Sequence, residues 1–457
     1  MTETIETKKD IIVFKYGGSS ICSAGLCVMR DRLINMFKDG AHNKHIVLVI
    51  SAMGKTTNKL YSITNMDCSK YTEIYTEHQK ICEEIRIDFQ QVKSLLEMLA
   101  QDITDYQSKP FIDITQQKLK IISYGEYLSS MIVHKYLESC GLHNKYMNAH
   151  TFIKNKNTSD TIDADSLNIK GEFVCNAEIL KGLTDYTYIS VTQGFIASTN
   201  DNKYCILTRS GSNTSAALIA NALNAQCLYI STDVSGLYTT DPRKVQSVKK
   251  IDVIDYSVCQ EAAAMGSQII HPYSIKPCQE KHIPIHICST FGELNAGTII
   301  KYDNIEDKKN MVHLIACQSN TTVFQITSID MWETYGFVYD IFSVFNDEKI
   351  DINIVTTSQF SITTTTCEKV LAKLQRAYDK LIEKYKVNVI QNCTTVNIVA
   401  DNVRKNPQIR KIHDLIDTIH ENIHVIHYGA NNMSLSYVVD ESFADNLTKQ
   451  FHELLIN

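Results

Sequence analysis

The chain has 457 residues, sets 45 Lys and Arg against 51 Asp and Glu for a net charge of −6, and is 44% hydrophobic. At roughly 100 to 200 residues per domain it holds about two to four domains, which excludes disorder, collagen-like structure and a disulfide-stapled miniprotein. Mild acidity without a Lys/Arg block argues against a nucleic-acid surface, and the 14 cysteines fall singly, with no C-x-x-C or Cys/His cluster to mark a metal site or a disulfide framework. The polar start MTETIETKKD has no signal-peptide core, and no stretch reaches the ~18 apolar residues of a membrane span, so a reducing, cytoplasmic location is expected.

In chain order, Ile11–Phe14 reads as a buried strand, followed by the turn KYGGSS and a helical pattern over Met29–Phe37. A second buried strand, Ile46–Ile50, runs into SAMGKTTNKL, and residues 70–140 read as mostly helical. Strand-like runs return at Tyr188–Val191, Cys205–Leu207 and Cys227–Ile230, with the Ala-rich helix SAALIANAL between the last two. Strands alternating with helices predict an α/β fold with a mainly parallel sheet covered on both faces. KYDNIEDKKN, near residue 300, reads as a hinge. Beyond it an α+β pattern occurs twice. In the first copy Thr322–Ile326 is a strand, Gly336–Phe345 a helix, Ile350–Val355 and Phe360–Thr365 strands, and Val370–Tyr385 a helix. In the second, Thr395–Ala400, Ile409–His420, Ile423–His427, Met433–Val439 and Ala444–Leu455 repeat that order, with Val312–Ala316 expected to supply its missing strand. The expected boundaries are 1–300, a linker at 301–311, and small units at 312–391 and 392–457.

Several strand-to-helix turns have the chemistry of anion sockets. In KYGGSS, Gly17 and Gly18 let backbone N–H groups approach an anion, and Lys15 adds a point charge; a turn needed only for its geometry has the same composition. Gly54-Lys55-Thr56 imitates a Walker A ending, but Val49 stands where that motif demands glycine. In ILTRSGSN, Arg209 can grip a carboxylate or phosphate and Ser212 can cap the helix or touch an anion. Three such turns on one sheet point to a ligand at the carboxyl ends of its strands. In STDVSGLYTTDPRKV, Tyr238 and Arg243 offer a ring and a cation of the kind that hold a nucleotide. Glu126, in GEYLSS, reads as the first-turn acid of an apolar helix, there for the helix dipole.

VFKYGGSS, VISAMGKTTNKL, ISYGEYLSS, VTQGFIA, TRSGSNTSAALIANAL, ISTDVSGLYTTDPRKV, EAAAMGSQIIHPYSIKP and IPIHICSTFGELNAGTII, in this order, resemble aspartate kinases of the amino acid kinase family, and the twin C-terminal units resemble its paired ACT domains. The resemblance implies a three-layer α/β kinase domain followed by two ACT domains. It implies ATP- and Mg²⁺-dependent phosphorylation of the side-chain carboxylate of L-aspartate, the first step toward lysine, threonine and methionine. It also implies a homodimer or homotetramer formed through the ACT units. Carried over residue by residue, it puts Lys15, Gly17, Gly18 and Ser19 on the ATP phosphates, and Thr232, Asp233, Tyr238, Arg243 and Gln268 at the nucleotide. Ser51, Thr57, Glu126, Arg209 and Ser212 fall at aspartate, with Arg209 on the α-carboxylate and Glu126 on the α-ammonium; Lys15, Arg209 and Asn213 are the catalytic candidates.

Departures from the family pattern bear on activity. Ser210 replaces a usual glycine, Asn213 a usual aspartate and Gln268 a usual lysine, and Asn148 also stands where many relatives have aspartate. For an amino-acid effector, Met331, Thr334, Gly336, Phe337, Val338, Asn353, Ser358 and Gln359 match the family's loop and strands. Asn353 and Gln359 are neutral where lysine-sensitive relatives tend to be acidic, which leaves lysine, threonine or no effector open. The alternatives to an aspartate kinase are a kinase for another acidic amino acid and a catalytically weakened, ACT-containing amino-acid sensor.

Overall fold

The computed structural model describes residues 10–38, 44–108, 113–156, 172–184, 189–207, 210–267, 270–303, 310–412, 415–417 and 420–456. It divides into two compact units, one of residues 1–237, 251–256 and 270–303, the other of 238–250, 257–269 and 304–457.

The first unit carries β1 (Asp10–Tyr16), β2 (Lys44–Ile50), β3 (Lys145–Met147), β4 (Ile153–Asn155), β5 (Phe173–Cys175), β6 (Ile189–Gln193), β7 (Ile196–Thr199), β8 (Tyr204–Ile206), β9 (Cys227–Thr232), β10 (Val253–Ile254), β11 (Ile285–Ser289) and β12 (Thr298–Ile300). Eight of these form one sheet in the order β10-β12-β11-β9-β1-β2-β6-β3, parallel throughout except at β11/β12; β5, β4, β7 and β8 form a second, four-stranded sheet. The apolar runs of β1 and β2 follow from burial on both faces. Ile12, Phe14, Ile46, Leu48 and Ile50 join a core with the helices Ser23–Lys38, Thr56–Thr64, Lys70–Glu84, Gln90–Ser108 and Ile114–Ser139, while Val13, Val47 and Val49 are fully buried on the opposite face.

The second unit carries β13 (Val312–Thr327), β14 (Val355–Thr357), β15 (Ser361–Thr366), β16 (Lys386–Ala400), β17 (Ile423–Tyr428) and β18 (Ser434–Asp440), an antiparallel sheet in the order β14-β15-β13-β16-β18-β17. Its two long strands, β13 and β16, each serve both halves. Phe324 and Ile326 pack with the helices Phe337–Asp347 and Leu371–Ile382, and Ile315 and Ile398 with the helix Glu441–Leu455. Between them β13 and β16 shift register around Gln318–Val323, so one strand reads in sequence as two. Of the helix expected over residues 409–420, Ile409–Ile412 forms a short 3-10 turn and residues 415–417 are helical, while 413, 414, 418 and 419 lie outside the described residues. Segments 238–250 and 257–269 belong to this unit through Ile315 N–H to the Thr239 carbonyl at 2.8 Å, Thr239 Oγ1 to His452 Nε2 at 2.9 Å and Asn397 Nδ2 to the Met265 carbonyl at 2.8 Å.

Candidate functional site

Five adjacent parallel strands of the first unit end level with one another. Tyr16 is in register with Ile50 and with Ser231, Ile50 with Gln193, and Thr232 with Ser289. The backbone then laces these ends together: Gly17 N–H donates to Ser231 O at 3.1 Å, Ser51 N–H to Tyr16 O at 3.1 Å, and Gly194 N–H to Ile50 O at 2.9 Å. The two glycines after β1 enter a tight turn, Gly18–Ser20, where the Gly54 N–H donates to the Gly18 carbonyl at 3.0 Å. A Cβ on Gly18 would stand 2.4 Å from the Ala52 carbonyl oxygen, so only glycine fits between the ends of β1 and β2.

Lys15 is half-buried at the end of β1, its Nζ 3.5 Å from where a Cβ on Gly17 would stand. Burial lowers its ammonium to about 8 against the pull of Asp233. The cation is therefore present at neutral pH and lost above about 8 unless an anion faces it.

Ala52 connects this cradle to Glu126. Its carbonyl packs on Gly18, while its N–H donates to Glu126 Oε1 at 3.3 Å. The other oxygen, Oε2, is buried without a partner. Burial raises the carboxyl to about 8, against the hydrogen bonds from the backbone of Ala52 and of Glu126 itself. Glu126 lies in the middle of the helix Ile114–Ser139, so the helix-dipole explanation expected from GEYLSS does not hold. Gly125 is inside that helix, where a Cβ would come within 2.9 Å of Ala52 Cβ. It lets helix and loop approach closely enough to bring Glu126 to Ala52.

Asn213 and Ser212 are buried in the first turn of the helix Gly211–Leu223. Gly194 permits the approach, since a Cβ there would come within 2.5 Å of Ser212 Cβ. Ser212 does not cap the helix; that position belongs to Ser210, held at φ 58° with no side-chain cap bond. Asn213 Oδ1 is another buried atom without a partner, as are Thr56 Oγ1 and Thr192 Oγ1. In the sequence Thr56 figured only as part of the rejected Walker A ending and Thr192 not at all; the signal for Thr192 was the polar ending Thr-Gln-Gly of its strand. Ser51 and Thr57 are half-buried at the same edge, Ser19 is exposed, and Thr232 Oγ1 donates to Asp233 Oδ1 at 3.0 Å. Asn148 caps the short helix after β3, accepting from His150 N–H at 3.1 Å.

Arg209 and Gln268 lie outside the described residues. Tyr238 and Arg243 belong to the second unit, where Tyr238 bridges to Lys250 and the exposed Arg243 forks onto Asp241 at 2.7 and 3.0 Å.

The amino acid kinase family model matches residues 10–289, more than half of the chain. The chain belongs to the amino acid kinase family. Among curated relatives, Aspartokinase 3, chloroplastic, of Arabidopsis thaliana is 26% identical over 467 residues, covering 97% of this chain and 81% of the relative. The lysine-sensitive aspartokinase 3 of Escherichia coli (strain K12) is 24% identical over 98% of this chain and 99% of its own length. The crystal structure of E. coli aspartokinase III with aspartate and ADP superposes with a TM-score of 0.80 at 23% identity, over 98% of this chain and 100% of that one, a shared fold along the whole chain. In this amino acid kinase the laced strand ends, the Gly17-Gly18 turn and the buried polar atoms fall within the matched residues.

The second unit has its own cavity, an open groove of about 710 Å³ lined by Ile329, Asp330, Trp332, Thr334 and Phe360. The Trp332 and Phe360 rings stack at 5.0 Å and 12°. Of the expected effector residues Thr334 lines the groove. Met331 is buried in the core beneath, Gly336 (φ 96°) begins the helix Phe337–Asp347, and Phe337 and Val338 open that helix. Asn353 Nδ2 contacts Cys367 Sγ at 3.2 Å, Ser358 bonds Ser361 Oγ at 2.7 Å, and Gln359 is exposed. Asp330, Trp332 and Phe360 were missed because acidic residues were sought on the strands at 353 and 359, not in the loop.

Proposed function

We propose that this chain is an aspartate kinase, transferring the γ-phosphoryl group of ATP to the side-chain carboxylate of L-aspartate to give 4-phospho-L-aspartate and ADP. The observation that carries it is the arrangement around Ala52, whose carbonyl packs on the Gly17-Gly18 turn beside Lys15 and whose N–H reaches a buried carboxyl with a free oxygen. A cation beside two glycines suits phosphate, and a buried carboxyl without a counter-ion suits an α-ammonium. The names of the relatives and the aspartate and ADP held by the E. coli enzyme support the same pair of substrates.

In this reading Lys15 and the Gly18 and Ser19 amides hold the phosphates, Gly17 shapes the turn with its own N–H on Ser231, and Thr232 and Asp233 border the nucleotide. Glu126 takes the α-ammonium, Arg209 the α-carboxylate, and Ser51, Thr57 and Ser212 the remaining polar atoms of aspartate. Tyr238, Arg243 and Gln268 rest on the family resemblance alone. The aspartate carboxylate is already ionised at neutral pH, so the chain need only align two anions and neutralise charge as the phosphoryl group moves. Mg²⁺ supplies further neutralisation on the phosphate oxygens. Asn213, with its unpaired Oδ1, orients a reacting group by hydrogen bonding where the usual aspartate would also add charge.

The second unit is proposed as the regulatory half, two ACT domains at 312–391 and 392–457 whose groove takes a free amino acid. The carboxylate of Asp330 and the π-face of Trp332 both favour a cation, so lysine is the preferred effector over threonine. Exposed Ile329, Tyr335, Tyr339 and Leu371 make this unit the proposed surface for a homodimer or homotetramer, which light scattering in solution tests by mass. No helix among the described residues is long and apolar enough to cross a membrane, and a cytoplasmic location is part of the proposal. Release of ADP that depends on L-aspartate, with L-glutamate and no acceptor as controls, tests the substrate assignment. Equal release with glutamate would favour a kinase of broader acidic specificity.

A further inference from the structure

Three side chains converge across β16, β18 and β17. Cys393 of β16 stands directly opposite Asp440 of β18. His424 lies at an irregularity in β17, where Ile423 pairs with Val439 but Val425 pairs with Val438, leaving one residue extra. In a regular strand His424 and Val425 would point to opposite faces; the bulge turns His424 toward the face holding Cys393. His424 Nε2 and Asp440 Oδ1 are 2.9 Å apart, and one donor atom from each of Cys393, His424 and Asp440 lies within 4.8 Å of the other two.

Packing alone does not account for the cluster. Asp440 is the N-cap residue of the helix Glu441–Leu455, yet its side chain caps nothing and turns to His424, forgoing roughly 1 kcal/mol of helix stabilisation. Cys393 forms the floor, fully buried with Val323, Ile354, Val425 and Val438, while the His424 and Asp440 side chains are 18% and 46% exposed at the rim. The site is therefore closed below and open above.

We propose that Cys393, His424 and Asp440 bind a zinc ion, three ligands from three neighbouring strands with water in the fourth position. A thiolate, an imidazole and a carboxylate form a donor set that zinc accepts tetrahedrally at about 2.0–2.3 Å, whereas Mg²⁺ and Ca²⁺ prefer all-oxygen sites. Bound zinc ties the edge strand β17 across β18 to β16, so it stabilises the folded second unit. The sequence hides the site because its ligands are 31 and 16 residues apart and share no short motif.

The test uses the full chain, stripped with chelator and titrated with Co²⁺. A sulfur-to-cobalt charge-transfer band and tetrahedral visible bands are expected, both displaced by one equivalent of Zn²⁺, which also raises the thermal midpoint. Cys393→Ser should lose the charge-transfer band and the zinc-induced rise, and Asp440→Asn should bind Co²⁺ more weakly with the thiolate band intact. His424→Ala adds a third check if it folds, and the other two variants decide the matter if it does not. Absence of a thiolate band in the wild-type protein overturns the proposal. So does a band that survives Cys393→Ser, which assigns the metal to another of the 14 cysteines.

Discussion

Glu126 keeps its proton to about pH 8 in the free protein, because burial outweighs the hydrogen bonds it receives. The sign of its effect on stability follows directly. The folded state holds a proton that the unfolded chain releases above about pH 4.3, so stability falls as pH rises between that value and 8. Glu126→Gln removes this cost. Its ligand-free form is expected to be more stable at pH 7 by on the order of 2 kcal/mol and to lose most of the acidic-to-neutral slope in urea titrations. The same variant raises KM for aspartate at least about tenfold, since a neutral amide cannot pair with an ammonium. An unchanged KM would remove Glu126 from the substrate site. Ser210 has a separate cost: φ of 58° is left-handed, where a side chain is strained. Ser210→Gly should stabilise the protein by about 0.5–1 kcal/mol in thermal melts, and no gain would mean that the Ser210 side chain compensates for the strain. In sequence Glu126 looked like a dipole residue at the start of an apolar helix; the helix in fact begins at Ile114, and Gly125 serves the close approach to Ala52.

At the scale of elements, β1 and β2 were legible because strands buried on both faces have no polar alternation. The Gly17-Gly18 turn was legible too, although only the 2.4 Å approach to Ala52 explains why the second glycine is needed. The long strands β13 and β16 were not legible as single elements, since their register shifts interrupt the apolar pattern midway. The 409–420 stretch has helical spacing; residues 415–417 are helical, and the 3-10 turn Ile409–Ile412 places Ile409 and Ile412 in the second unit's core. The groove under the Ile329–Met331 turn was missed because it is made by loop residues distant in sequence, Trp332 and Phe360. Lysine is expected to inhibit or bind there at lower concentration than threonine. Asp330→Asn should weaken lysine binding about tenfold or more in calorimetry while leaving ligand-free stability within ~0.5 kcal/mol. Equal binding of lysine by that variant would place the effector elsewhere.

Across the whole molecule, one boundary of the compact units falls at 303/304, beside the change of composition near residue 300, but no such change marks the return of 238–250 and 257–269 to the second unit. That recruitment depends on pairings such as Thr239 with Ile315 and His452, which no local pattern announces. A fragment of residues 310–457 therefore lacks part of its own unit. It is expected to melt well below the full chain's second transition in calorimetry, and a fragment melting at the same temperature would show those segments to be dispensable. Catalysis is the property that joins the family fold to the Ala52 arrangement. The most direct measurement gives the purified full chain ATP, Mg²⁺ and L-aspartate and traps the acyl phosphate with hydroxylamine. Aspartyl β-hydroxamate accumulating in step with ADP is the predicted result; no hydroxamate above the aspartate-free background would contradict the assignment and leave an amino-acid sensor built on a kinase fold.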